Sequence, residues 1–335
     1  MSSRVNQKWR YKLNKWRRRA AIFLSLSLLI IIGFVVYGKI EYETARKNSI
    51  ETLEESAPEG IKYENEYEQI PFQAEEQKKN EPLHILLIGV DKAVDDKSRT
   101  DTIMIVQYNT NHGTAKLVSI MRDSYVAIPD HQDNKINASF FIGGPELLRK
   151  TIKKNFDIDI HYYAMVNFDG FERVVDTIAP NGIEINVEHR MYKSSMKMHF
   201  EPGKQIVKGK DVLKYVRFRD DHENDFGRVR RQQEVISLLK DEMLTLRGVS
   251  KVPQLIGAVE PYIDTNMKTR KILSLGKDFF LNPVEDIETL TIPIEHSFID
   301  QRYPHAGLVL EMDIKKNKQA LHHFFEFNNK NEEDL

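Results

Sequence analysis

Residues 20–38, AAIFLSLSLLIIIGFVVYG, contain no charged side chain, and the nineteen residues before them hold eight basic groups and no acid. A helix of that length rises about 28 Å, close to the ~30 Å hydrocarbon core of a bilayer. The pattern predicts a cytoplasmic basic tail over 1–19 and one transmembrane signal anchor over 20–38, with everything that follows outside the cytoplasm. A cleaved signal peptide is the competing reading. Its apolar region is usually shorter and ends at a small-x-small site, whereas here the run continues through Val35-Val36-Tyr37 into Lys39-Ile40-Glu41. The whole chain of 335 residues has a net charge of −1, so without the eight basic residues of the tail the remainder stands at −9. That balance argues against a nucleic-acid partner. The chain has no cysteine, which excludes disulfides and thiol chemistry.

Residues 39–81 are rich in Glu, Lys, Gln and Asn and read as an extracytoplasmic stalk. A folded domain is expected over 82–328, followed by a disordered tail over 329–335. LHILLIGVD (83–91) is a short apolar run ending in glycine and an acid, the signature of a buried strand. TDTIMIVQYNT (100–110) and TAKLVSIMRD (114–123) are two further strands, joined as a hairpin by NTNHG. Strand patterns at 161–168, 183–188 and 289–295 alternate with helical ones. The helices are expected at 145–156 (opened by Pro145), 169–179, 209–216, within 251–281, and at 313–327. Alternation of this kind predicts a layered α/β/α domain around a central mixed sheet.

YVRFRDDHENDFGRVRRQQE (215–234) places five arginines beside three aspartates. Arginine presents a planar fork of donors that matches phosphate. On a helix starting near Arg228, the positions of Arg228, Arg231 and Gln232 fall on the side that carries Val235 and Leu239 further along, while Arg230 falls opposite. Anions are also favoured at helix N-termini. Arg217 and Arg219 share a face if the chain between them is extended. The bland reading pairs all of these arginines with Asp220, Asp221 or Asp225, the last as an N-cap. Upstream, Arg99 and Asp101 stand two apart before a strand, and Asp91 ends the preceding one. Two carboxylates at one sheet edge near a phosphate site suit a magnesium or manganese ion; alternatively they only cap loops. Arg122 adds another phosphate contact, and Asp123 is either a base or a support for an arginine. No GxxxxGK[ST], GxGxxG, HExxH or GxSxG occurs. The candidate site is therefore arginines and acids with a metal and no covalent nucleophile, a composition suited to phosphoryl transfer by positioning and charge neutralisation.

The ordered series GVD, SRTDTIMIV, SIMRDSYV, KINASFFIGGPELL, VRFRDD and DFGRVRRQQE, after a basic tail and one apolar span, resembles the LytR-CpsA-Psr family. The resemblance is strongest over 82–245. It implies a membrane-anchored α/β enzyme of a Gram-positive cell membrane, single-pass with its catalytic domain outside. Such an enzyme moves an anionic glycopolymer, wall teichoic acid or capsule, from an undecaprenyl-pyrophosphate carrier to a C6 hydroxyl of peptidoglycan. Carried over residue by residue, it implies pyrophosphate binding by Arg99, Arg122, Arg217, Arg219, Arg228 and Gln232. Magnesium would be held by Asp91 and Asp101, and catalysis would rest on Arg122, Asp123, Arg219 and Arg228. Met121 departs from the pattern, standing where many members have proline. Family members also hold the polyprenyl chain in an apolar tunnel; stretches 163–178 and 235–246 suit a tunnel wall or an ordinary core equally well. Three other readings stay open: an envelope regulator acting indirectly, a polyprenyl-phosphate binding module, and a pyrophosphatase.

Overall fold

The computed structural model describes residues 32–33, 35–55, 72–74, 77–78, 81–91, 100–245 and 252–326. The predicted span over 20–38 falls largely outside them, as do Arg99 and the tail over 329–335. Among the described residues, no helix is long and apolar enough to cross a membrane.

The first strands are the sequence pattern made physical. β1 (Leu83–Val90), β2 (Thr100–Asn109) and β3 (Thr114–Ile120) are antiparallel neighbours, with the predicted hairpin joining β2 to β3. β6 (Tyr162–Asn167) lies parallel to β1, and β12 (Ile287–Ile292) parallel to β3. With the two-residue β11 (Asp264–Thr265) on the edge of β6, they form a mixed six-stranded sheet of order β11-β6-β1-β2-β3-β12. Val118 and Ile120 join a core with Ile152 and Phe156 of α2 (Ile136–Phe156) and Leu321 of α8 (Ile314–Glu326). Ser119, between them, instead receives a hydrogen bond from Gln233 of α5 (Asn224–Thr245) at 2.9 Å. Adjacent strand residues point to opposite faces, so helices cover both sides of the sheet. Pro145 does open a helical segment, because Gly143 and Gly144 leave helical geometry just before it and kink α2. The turn preceding that kink, 136–142, is also helical, which the glycine pair disguises in the sequence.

A second core lies beside the first. α3 (Phe168–Ile178), β7 (Ile183–Val187), β8 (Met191–Lys193), β9 (Met198–Phe200), β10 (Gly203–Val207) and α4 (Gly209–Arg217) enclose Val175, Ile185, Phe200, Val212 and Tyr215, closed by Val235 of α5. Of the buried apolar residues in 163–178 and 235–246, Tyr163, Met165, Val175 and Val235 belong to these cores. A second, four-stranded sheet of order β13-β14-β4-β5 joins β13 (Phe298–Tyr303), β14 (Gly307–Met312), β4 (Ser124–Val126) and β5 (Asn134–Lys135).

Of the predicted stalk over 39–81, residues 39–55, 72–74, 77–78 and 81 are described. Residues 35–55 form a helix, α1, that docks on the domain. Ser49 Oγ donates to the carbonyl of Ala258 at 2.9 Å, Tyr262 donates to the carbonyl of Ser49 at 3.4 Å, and Arg46 pairs with Glu260 at 3.5 Å. Tyr42 donates its hydroxyl to Glu260; burial and then that carboxylate push its pKa up to about 12. The partners lie on α6 (Val252–Val259) and the 3-10 turn Glu260–Tyr262. These contacts are mostly polar and set by distant partners, so the local sequence shows no apolar stripe for them. Gly257 sits against the Tyr42 backbone so closely that a Cβ would stand 2.3 Å from its carbonyl oxygen. Gly257→Leu should therefore loosen α1 at an overpacking cost of about 1–3 kcal/mol. Hydrogen exchange should rise across residues 42–55 while β1–β3 keep their protection; unchanged exchange in α1 would refute the docking.

Candidate functional site

Local backbone features aim each side chain of the site. β1 and β2 carry a β-bulge at their shared end: Gly89 pairs with Thr102 and Val90 with Thr100, leaving Asp101 as the extra residue. A bulge of this kind redirects a side chain. Glycine is required at 89, where a Cβ would lie 2.9 Å from Thr102 Cβ. Asp91 follows β1 directly, so it stands at the same end of the sheet as Asp101. Arg122 and Asp123 occupy the turn where the chain leaves β3 for β4, closed by Ser124 N–H donating to Met121 O at 3.0 Å. Met121 itself is 4% exposed and packs with Val229 and Leu310. An apolar side chain can thus replace proline there and pin the turn onto the underside of α5.

The start of α5 differs from the expectation. Asp221, not Asp225, caps the helix: its Oδ1 accepts from the backbone N–H groups of Glu223 at 3.2 Å and Asn224 at 2.9 Å. Its Oδ2 binds Arg231 at 2.8 Å, and Arg231 also donates to the Phe218 carbonyl at 2.7 Å. Asp225, freed from capping, faces three arginines. Its carboxylate lies 3.4 Å from Arg122, 3.8 Å from Arg219 and 3.5 Å from Arg228.

Arg122 is the centre of this cluster. It donates to Asp101 through Nη1 and to Asp123 Oδ2 through Nε at 3.2 Å. Burial alone would raise the Asp101 pKa, but Arg122, Arg228 and Arg219 outweigh it and hold the carboxyl below its usual range. Burial would likewise lower Arg122, and Asp101, Asp225 and Asp123 overcome that. Arg228 is different: 4% exposed, with Asp225 its single ion-pair partner among the described residues, it has its pKa lowered chiefly by burial. Its Nε is buried without a hydrogen-bond partner. The Nε of Arg231 is buried in the same way, so the two arginines differ in their ion pairs and not in this atom.

Of the sequence-predicted residues, the structure therefore unites Asp101, Arg122, Asp123, Arg219 and Arg228. Asp123 is held by Arg122 and by Lys135 at 2.7 Å, an arrangement that supports the arginine more directly than it supplies a free base. Arg217 does not pair with Arg219 on an extended face. It is the last residue of α4, only Phe218 is extended, and its guanidinium stacks 4.0 Å from the Phe168 ring centroid. Gln232 ties α5 to the end of α4, donating to Val216 O at 3.3 Å. Arg230 points away, as its helical position predicts, to Glu188 at 2.9 Å and Glu223 at 2.7 Å. Asp225 and Lys135 were missed as site members. Both lie inside recognisable motifs, but their partners are set by tertiary approach.

Among the described residues, no group of three or more His, Asp or Glu side chains could hold a metal ion. A two-carboxylate site for magnesium completed by phosphate and water remains compatible with the donors present. Asp101 is held ionised, Arg122 engages only its Oδ1, and Asp91 stands at the same sheet end.

Comparison with known proteins agrees with this architecture. The chain matches the LytR_cpsA_psr family over residues 40–322. It is 43% identical over 244 residues to the regulatory protein MsrR of Staphylococcus aureus strain COL, covering 73% of this chain and 74% of that protein. It is 28% identical over 270 residues to the polyisoprenyl-teichoic acid–peptidoglycan teichoic acid transferase TagU of Bacillus cereus, covering 79% of this chain and 86% of the relative. The crystal structure of Bacillus subtilis TagV superposes with a TM-score of 0.63 at 26% identity, over 74% of this chain and 99% of TagV.

Proposed function

The chain belongs to the LytR-CpsA-Psr family, and we propose that it transfers an anionic cell-wall glycopolymer from a polyprenyl-pyrophosphate carrier to peptidoglycan. The observation that carries this reading is the convergence of Arg122, Arg219 and Arg228 on Asp101 and Asp225. Three guanidinium forks against Asp101 and Asp225 leave one positive charge over, so the cluster favours a further anionic group. In this reading Arg228, Arg219 and Arg122 hold the two phosphates and stabilise the charge that develops on the departing lipid phosphate. The acceptor sugar hydroxyl attacks the sugar-side phosphorus, the anhydride P–O bond to the lipid phosphate breaks, and the hydroxyl proton leaves with that phosphate. Asp123 and Lys135 fix Arg122 in place. Asp91 and Asp101 would hold a divalent cation, which would add charge neutralisation at the phosphates. The predicted anchor would place the domain on the outer side of the membrane, where such a carrier is available. The name of the Bacillus cereus relative supports a polyisoprenyl carrier and a teichoic-acid type of polymer; undecaprenyl pyrophosphate is the carrier that the family resemblance implies. The regulatory name of the staphylococcal relative needs no DNA contact in this reading, because an altered envelope changes gene expression indirectly.

The test is transfer from a synthetic lipid-linked donor to peptidoglycan fragments. Wild type should turn over and should stop on chelation. Asp91→Ala should raise the magnesium concentration needed for half-maximal rate by about tenfold or more, since losing even a partner that only orients a metal ligand typically costs about 10–100-fold. Turnover indifferent to chelator would remove the metal from the reading, and absence of transfer with every donor would remove the activity.

A further inference from the structure

The outward face of the four-stranded sheet carries an aromatic cluster that the arginine site does not use. Tyr125 of β4 and Tyr303 of β13 stack with ring centroids 4.6 Å apart and planes at 17°. His305 closes the group, 5.7 Å from Tyr303 and 6.3 Å from Tyr125. His305 is exposed, and both tyrosines are half-buried. Polar groups rim the rings. Tyr303 donates to Glu311 at 3.0 Å, and His305 Nε2 lies 3.0 Å from the carbonyl of Asp133. Glu311 and Asp133 help to hold the Tyr125 phenol above its ordinary pKa, after burial, and the hydrogen bond to Glu311 does the same for Tyr303. Both hydroxyls therefore stay protonated at neutral pH.

The cluster is tied to the arginine site by backbone register. Asp123 is the turn residue just ahead of β4, two positions before Tyr125. Lys135 is the cross-strand partner of Tyr125, and its Nζ binds Asp123. Glu311 is the other cross-strand partner of Tyr125. One rigid surface thus runs from Arg122 through Asp123 and Lys135 to the stacked rings.

We propose that Tyr125, Tyr303 and His305 form a saccharide platform, stacking the C–H face of an uncharged pyranose ring while Glu311 and the rim carbonyl receive its hydroxyls. Rigid aromatic faces with a few placed polar groups are the usual furniture of a small-ligand site. The acids on the rim disfavour phosphate and nucleic acid there. The inference rests on the transferase reading and deepens it. The ring comes either from the peptidoglycan acceptor or from the first sugars of the donor, and both share this chemistry.

The full chain in detergent can be titrated with an uncharged peptidoglycan glycan fragment and, separately, with the sugar portion of the donor, followed by tyrosine-edited NMR. Wild type should bind one of the two. Tyr303→Ala should weaken that binding about three- to tenfold, with Tyr303→Phe close to wild type, since a stacked aromatic is worth about that much. In the transfer assay the same variant should raise KM for the matching substrate and leave kcat within about twofold. Whichever fragment responds identifies the source of the ring. Should Tyr303→Ala unfold the chain, Tyr303→Leu keeps apolar cover without an aromatic face and serves instead. A folded variant with unaltered binding of both fragments would overturn the platform. Fragment binding that depends on Tyr303 without transfer by any preparation would leave the platform standing and sink the transferase reading.

Discussion

Arg228→Ala should lower transfer turnover by about two to three orders of magnitude while leaving the melting temperature unchanged or slightly higher, by analogy with loss of one preorganised charge-stabilising donor. The two effects separate because this guanidinium is poorly served in the free protein. It is 4% exposed, its one ion-pair partner among the described residues is Asp225 at 3.5 Å, and its Nε has no acceptor. Asp225 keeps Arg122 and Arg219 after the substitution, so no carboxylate is stranded. Arg228→Lys should recover little of the rate, because an ammonium cannot reproduce a planar fork at a crowded phosphate. Calorimetry with inorganic pyrophosphate supplies a readout independent of turnover: affinity should fall with the rate. A variant with normal turnover would show that the cluster is an internal ion-pair network and nothing more.

Arg231→Ala should have the opposite profile, with stability as the primary casualty. Arg231 and Asp221 side chains are 5% and 12% exposed, and both are tied further, to the Phe218 carbonyl and to the first N–H groups of α5. Removing one partner of a buried pair leaves the other charge uncompensated and costs about 3–5 kcal/mol. Because Asp221 is also the cap, the first turn of α5 should fray, and Arg228 with it. Urea unfolding should show the loss in midpoint. Replacing both partners, Arg231→Met with Asp221→Asn, should recover much of it, since no bare charge remains. Arg230→Ala, on the exposed side of the same helix, should change stability by less than about 1 kcal/mol. Equal costs at 230 and 231 would contradict the burial difference between them.

The parts of the site that were legible in the sequence are those fixed by local periodicity. Arg228 inward and Arg230 outward follow from helical spacing alone, and the structure buries the first and pairs the second with Glu188 and Glu223. Asp101 before a strand and Arg122 after one were also legible, because strand ends are marked by their apolar runs. The strands β1, β2, β3, β6 and β12 follow in the same way. What was not legible depends on how distant segments meet. Asp225 meets Arg122 across more than a hundred residues of chain, and nothing near either one encodes that contact. Capping passes to Asp221 because Asn224 adopts a left-handed conformation, with φ of 50°, so that the helix starts just ahead of Asp225. Arg217 leaves the predicted pair because α4 runs to Arg217, one residue past the expected end at 216, and so takes the first arginine of VRFR into the helix. The strands β13 and β14 mix polar and apolar residues on both faces, and their place beside β4 comes from pairing partners rather than pattern.

The docked helix α1 has a mechanical meaning. A flexible leash lets a catalyst sweep a hemisphere and meet its two substrates in any attitude. An arm bolted at Tyr42, Arg46 and Ser49 does not: at about 1.5 Å per residue, the seven residues from 35 to 42 extend only about 10 Å beyond the first bolt. In the proposed membrane-bound reading, the short reach from residue 35 to Tyr42 would limit how far the arginine cluster stands from its anchor. Over residues 35–55 the chain is an arm of fixed reach, set by the length of one helix.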